Sequence, residues 1–151
     1  LRRARRFTIG VDGSANSRRA AEVVARLSIP PGGRVTLVSV IEPIRVPSGG
    51  LMPARIGGTL RAEAARLTAE RRRKLERAQR QLGVRLRRAG WKVREVVRVA
   101  TPLEGLLDAA NASRTDVLVI GARGTGGISR LLLGSVAEGA MTRAPMSVTS
   151  G

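Results

Sequence analysis

Apolar residues in this chain follow two rhythms, short unbroken runs and stretches spaced by three or four, and their alternation predicts strands alternating with helices. Phe7-Thr8-Ile9-Gly10-Val11, Val35 to Ile41, Trp91 to Val99 and Asp116-Val117-Leu118-Val119-Ile120 have strand length. The second and fourth runs are apolar enough to be buried on both faces. After the first run, Asp12-Gly13-Ser14 is a turn cluster with Ser14 as N-cap. The helix it opens places Ala20, Val23, Val24 and Leu27 at helical spacing before Ile29-Pro30-Pro31-Gly32-Gly33 ends it. Residues 42–58 hold three prolines and four glycines with no clear period, which predicts a flexible surface loop. From about Thr59 to Ala89 a long helix carries Leu60, Ala64, Leu67, Leu75, Ala78, Leu82, Leu86 and Ala89 on one stripe. Arg71 is its single break, and Gly90 suits a left-handed C-cap. Thr101-Pro102-Leu103-Glu104 combines a capping box with proline at the first helical position, and Leu103, Leu106, Leu107 and Ala110 form that helix's buried face. A short helix is expected from Gly134 to Arg143, before Pro145, and Met146-Ser147-Val148-Thr149 is a short fifth strand. The order implies an α/β fold: an open five-stranded parallel sheet with helices on both faces, Rossmann-like, right-handed in its crossovers and forming one domain over 1–151.

Size and composition narrow what such a domain does. A chain of 151 residues, 42% hydrophobic, buries roughly 70% of the surface its unfolded form exposes. No apolar run approaches the roughly 18 residues of a membrane span. Residues 1–5 form a basic N-terminal segment, and no apolar stretch of signal-peptide kind follows it. With cysteine absent there is no disulfide or thiolate nucleophile, which fits a reducing compartment, and a cytoplasmic location is expected. Histidine is absent too, so Ser-His-Asp and Cys-His catalysis and histidine-ligated metals are excluded within this chain. No catalytic residue and no metal ligand is singled out. Position 1 is Leu, so the sequence is compatible with one domain of a longer transporter or tandem protein.

The candidate chemistry lies in Gly121-Ala122-Arg123-Gly124, followed after nine residues by Gly134-Ser135. A strand runs into a glycine-rich loop and restarts as a helix, whose N-terminal N–H groups and partial positive charge favour an anion. Glycine lets the backbone approach that anion closely. The stretch lacks the Gly-Lys-Ser/Thr of a Walker loop, and Ser129 stands where the third glycine of a dinucleotide fingerprint would fall, so P-loop hydrolysis and NAD-type redox chemistry are disfavoured. Asp12, Val40 and Gly121 lie at carboxyl ends of strands, where open parallel sheets bind ligands. A bare structural turn also explains the glycines, strand termination or capping explains Asp12, and an ordinary N-cap explains Ser135.

Over nearly its whole length the chain resembles the universal stress protein family, in its nucleotide-binding branch. The resemblance rests on Gly121, Gly124, Gly134 and Ser135 at the family's Gly-x2-Gly-x9-Gly-Ser/Thr spacing, with Arg123 in the usual basic position. Val11-Asp12-Gly13-Ser14, Thr101-Pro102 and Gly134-Ser135-Val136-Ala137-Glu138 also match. It implies an adenine nucleotide alpha hydrolase-like fold and an ATP site, with Mg2+ bridging the phosphates. In that site Asp12 lies at the ribose or adenine side, and backbone at Val40 meets the adenine. Gly121, Arg123 and Gly124 line the ribose-phosphate path, and Gly134, Ser135 and Val136 hold phosphate oxygens. It implies a stress-response protein acting through nucleotide occupancy, with at most slow hydrolysis. The family's longer last strand pairs across a homodimer, whereas the stretch from Met146 to Gly151 is short and polar at its end.

The formal net charge is +17, and all but two of the 28 basic residues are arginine. Many lie between Arg61 and Arg88, on the long helix. A solvated face is the ordinary explanation, since arginine stems cover apolar surface while their heads stay wet. A second reading stays open, of an Arg-rich adaptor for nucleic acid or an anionic membrane surface with a vestigial nucleotide loop. Phe7 and Trp91 are the only aromatics, so any nucleic-acid contact through residues 61–88 would be nonspecific.

Overall fold

A computed structural model describes residues 4–47, 49–121 and 147–150. Its elements are β1 (Arg6–Gly10), α1 (Ala15–Ala25), β2 (Arg34–Ile41), α2 (Ala54–Arg88), β3 (Lys92–Val99), α3 (Pro102–Ala112), β4 (Val117–Ile120) and β5 (Ser147–Ser150). The five strands form one sheet in the order β3-β2-β1-β4-β5. Every pairing is parallel; Ile9 of β1 lies between Leu37 of β2 and Val119 of β4. The chain starts in the middle strand, winds outward through β2 and β3, then returns to the other side of β1 as β4. That reversal makes the β1/β4 edge a topological switch point.

The sheet is covered on both faces, as its apolar runs require. α1 and α2 pack on one side over Ile9, Val35, Leu37 and Trp91, with Val24, Leu82 and Leu86 supplied by the helices. α3 covers the other side, where Leu106, Ala109 and Ala110 meet Val38, Leu118 and Ile120. Phe7 and Trp91 pack edge to face in the first of these cores, with centroids 5.3 Å apart.

Two helices depart from their sequence expectation. α1 ends at Ala25, and its buried stripe is Ser17, Ala20, Ala21 and Val24. Val23 sits one residue, about 100° of rotation, off that stripe and is 55% exposed; Leu27 lies past the helix end and is 43% exposed. α2 starts at Ala54, inside the stretch expected to be loop, so only the earlier part of 42–58 lacks regular structure. Its 35 residues span about 52 Å, against roughly 27 Å for the eight-residue strands beneath it. The helix therefore overshoots the sheet. Leu75, Gln79, Leu82 and Leu86 are buried, while Leu60 is 40% and Leu67 42% exposed. The break in the stripe at Arg71 marks where the helix leaves the sheet.

The caps are mostly as the sequence predicts. Ser14 Oγ accepts the N–H of Ser17 at 3.1 Å. Gly90, with φ +102°, closes α2: its N–H donates to the Arg87 carbonyl and that of Trp91 to the Leu86 carbonyl, the paired bonds of a Schellman motif. Thr101 caps α3 with Pro102 at the first turn, but the expected reciprocal box is not formed. Its hydroxyl donates to Glu104 Oε2 at 2.7 Å instead of capping a backbone N–H. The helix expected at 134–143 lies outside the described residues.

Candidate functional site: a cleft at the strand ends

The carboxyl ends of β1, β2 and β4 open into a cleft of about 500 Å3, within the range of small-molecule sites. Asp12, Val40 and Gly121 all line it. Its walls are mainly apolar, from Val11, Val38, Ile41, Leu106 and Ile120, and α2 crosses it with Leu67, Thr68 and Arg71. Arg123, Gly124, Gly134, Ser135 and Val136 lie outside the described residues.

The floor is held by a chain of buried hydrogen bonds. The Val11 N–H donates to the Val38 carbonyl at 2.7 Å, and Ser39 Oγ donates to the Val11 carbonyl at 2.6 Å. Gln79, buried on α2, donates through Nε2 to Ser39 Oγ at 3.0 Å and to the Val96 carbonyl at 2.8 Å. One side chain thus ties α2 to β2, β3 and the end of β1. Directly after Val11 the chain turns at Gly13, whose φ of +83° a side chain would strain. Asp12 Oδ1 accepts the Ser14 N–H at 2.9 Å across that turn. The turn role weighed for Asp12 in the sequence is therefore real, and the same residue also borders the cleft.

Gly121 has a packing reason of its own. A Cβ there would lie 3.0 Å from Asn16 Cβ and 3.1 Å from the Ser17 nitrogen, so glycine lets β4 end directly against the start of α1. Gly105 plays the matching part on the other wall. A Cβ would come within 2.8 Å of Val40, so the glycine seats α3 against the end of β2.

Thr68, Arg71, Pro102, Leu106 and Glu42 also border the cleft, and none of them is named as a site residue from the sequence. The break in the apolar stripe at Arg71 was the available signal: a cation inside a helix's buried face needs an anion or solvent to meet it. Among the described residues no group of three or more carboxylates is placed to hold a metal ion, and no helix is long and apolar enough to cross a membrane.

The universal stress protein family model matches residues 3–149. A universal stress protein from Thermus aquaticus, encoded in the 3′ region of a QAH/OAS sulfhydrylase, is 28% identical over 141 residues, 93% of each chain. Among solved structures, the hypothetical protein MJ0577, whose biochemical function was assigned from its structure, aligns with a TM-score of 0.78 at 18% identity, over 97% of this chain and 94% of that one. A universal stress protein in complex with cAMP aligns with a TM-score of 0.65 at 22% identity, over 98% and 97%.

Proposed function

Because the chain belongs to the universal stress protein family, we propose that it is an adenine-nucleotide-binding regulatory protein whose output is set by occupancy of the cleft at the ends of β1, β2 and β4. One observation carries the reading. Asp12, Val40 and Gly121, singled out at the carboxyl ends of three separate strands, border a single cleft at the switch point.

In this reading the ligand is ATP. The apolar walls around Val38, Val40, Leu106 and Ile120 suit the flat face of a purine, and Asp12 takes a ribose hydroxyl. The phosphates run along Gly121, Arg123 and Gly124 to the N–H groups and hydroxyl at Gly134, Ser135 and Val136, where the helix start expected from the sequence would favour negative charge. The relative bound to cAMP supports adenine as the recognised base. The residues fit this ligand in size and polarity. Mg2+ needs few protein ligands when it bridges phosphates and keeps its waters, so a protein-built metal cage is not required. Histidine and cysteine are absent and the sequence positions none of its carboxylates as a general base, so in this reading hydrolysis is at most slow. Stress response and a cytoplasmic setting follow from the same family reading.

Titration calorimetry with ATP and GTP, at physiological and high salt, tests the proposal. A real pocket retains its preference for ATP at high salt, and Gly124→Val weakens binding by blocking backbone approach. Equal binding of both nucleotides, lost together as salt rises and unaffected by Gly124→Val, would sink it.

A further inference from the structure

Beside the cleft, α1 and α2 enclose a second hollow of about 440 Å3 that the nucleotide reading leaves unused. It shares Val11, Asp12, Ser17 and Arg71 with the first, so the two adjoin. Its floor is apolar, from Leu75, Ala78 and Leu82, and its rim is cationic. Arg18 rises from α1, and Arg71, Lys74, Arg77 and Arg85 from α2, facing only the carboxylates of Asp12 and Glu22. Glu22 is paired with Arg85 at 3.4 Å. Among the described residues Arg18, Arg71, Lys74 and Arg77 take no carboxylate within 4.0 Å. Elsewhere on the same helix Arg66 is engaged by Glu63 and Glu70, and Arg72 lies 4.0 Å from Glu76. Among the described residues Arg61, Arg73, Arg80 and Arg88 also take no carboxylate but border neither hollow, so it is gathering in one hollow that sets Arg71, Lys74 and Arg77 apart.

We propose that this groove is a binding site, separate from the nucleotide cleft, for a linear oligophosphate such as free inorganic polyphosphate. Four uncompensated cations in one hollow repel one another, and a multivalent anion between them relieves that repulsion. Guanidinium forks meet phosphate oxygens two at a time, and their stems lie along the apolar floor while the heads hold the anion. A nucleic-acid strand fits less well, because base stacking needs exposed aromatics and the two in this chain pack against each other in the core. Arg71 borders both hollows, so the cation that interrupts the helix's apolar stripe stands at their junction.

The proposal does not rest on the nucleotide reading, and so that the two fail independently adenosine, ATP and inorganic tripolyphosphate are titrated separately into the whole chain by calorimetry at fixed ionic strength. Two variants are compared with the parent. Arg18→Gln/Lys74→Gln/Arg77→Gln removes three of the groove's five cations and leaves Arg71, which also borders the cleft, and the Glu22-paired Arg85 in place; Arg19→Gln/Arg73→Gln/Arg80→Gln removes the same charge from exposed positions that border neither hollow. Tripolyphosphate affinity falls about tenfold or more in the first variant and less than about threefold in the second, where only the general field is weakened. ATP affinity changes by less than about threefold in the first variant; a fall in step with tripolyphosphate would assign the groove to the nucleotide's own phosphates and overturn the proposal of a separate site. Adenosine reads the cleft alone: its failure to bind while tripolyphosphate binding persists would remove the nucleotide reading and leave the groove standing. No tripolyphosphate binding by the parent, or equal weakening in both variants, would overturn the proposal.

Discussion

Two residues far from the cleft carry measurable consequences of the local chemistry. Arg114, with φ +49°, occupies the left-handed position of the α3 C-cap, where its N–H and that of Thr115 close a Schellman pair onto the Asn111 and Ala110 carbonyls. A side chain there is strained, so Arg114→Gly is expected to stabilise the fold by ~0.5 kcal/mol, read as a raised Tm; an unchanged or lowered Tm would show that the cap is not strained. Asp116 accepts the backbone N–H groups of Arg5 and Arg6 at 2.9 Å and an Arg6 guanidinium bond at 3.3 Å. Burial pushes its carboxyl up, but these donors prevail and hold it below the usual carboxylate range. A depressed folded pKa stabilises above the unfolded value and is lost as pH falls through the folded one. Asp116→Asn is therefore less stable than the parent at neutral pH, and the gap in Tm closes in acid below about pH 4. A gap that stays constant with pH would refute this. Gly90 and Ser14 were legible because such caps are local. Arg114 was not, since nothing in its own type announces φ above zero, and Thr101 misled because a capping box read from spacing does not decide which acceptor the hydroxyl takes.

At the scale of elements, α2 divides into a half that holds the fold and a half that does not. Leu86 is fully buried, and Leu86→Ala is expected to cost 2–5 kcal/mol. Leu60→Ala, on the overshooting half, should change stability by less than about 0.5 kcal/mol in urea unfolding. Comparable losses at both positions would mean that the first half is packed too. Gln79→Ala removes the donor shared by Ser39 and Val96, and ~2 kcal/mol of destabilisation is expected, with the end of β1 beside Asp12 loosened. The alternating order of strands and helices was readable because a two-residue period and a 3.6-residue period leave different apolar patterns. The length of α2 relative to the sheet was not. Periodicity marks an apolar face but cannot tell whether a neighbour is there to cover it, which is why Leu60 and Leu67 looked like core. Gln79 sat in a polar, basic stretch, and only the tertiary pairing of β2 with β3 makes it a buried bridge.

For the whole molecule, the question is how a charge of +17 and a mainly apolar cleft belong to one function. In the proposed reading the charge draws phosphates toward the protein from a distance that salt shortens, and the cleft discriminates among what arrives. Convergence of Asp12, Val40 and Gly121 was foreseeable because ligands of parallel sheets gather at strand ends. The part played by α2, which brings Arg71 across the same opening, came only from the fold. The central claim is that adenine nucleotide occupies that opening, and amide chemical-shift mapping with ATP, GTP and pyrophosphate tests it most directly. The account predicts that ATP moves the resonances of Asp12, Val40 and Gly121 together and saturably, with GTP much weaker at those positions. Shifts of equal size from all three ligands, spread along the exposed arginines of α2 while the strand ends stay still, would contradict it.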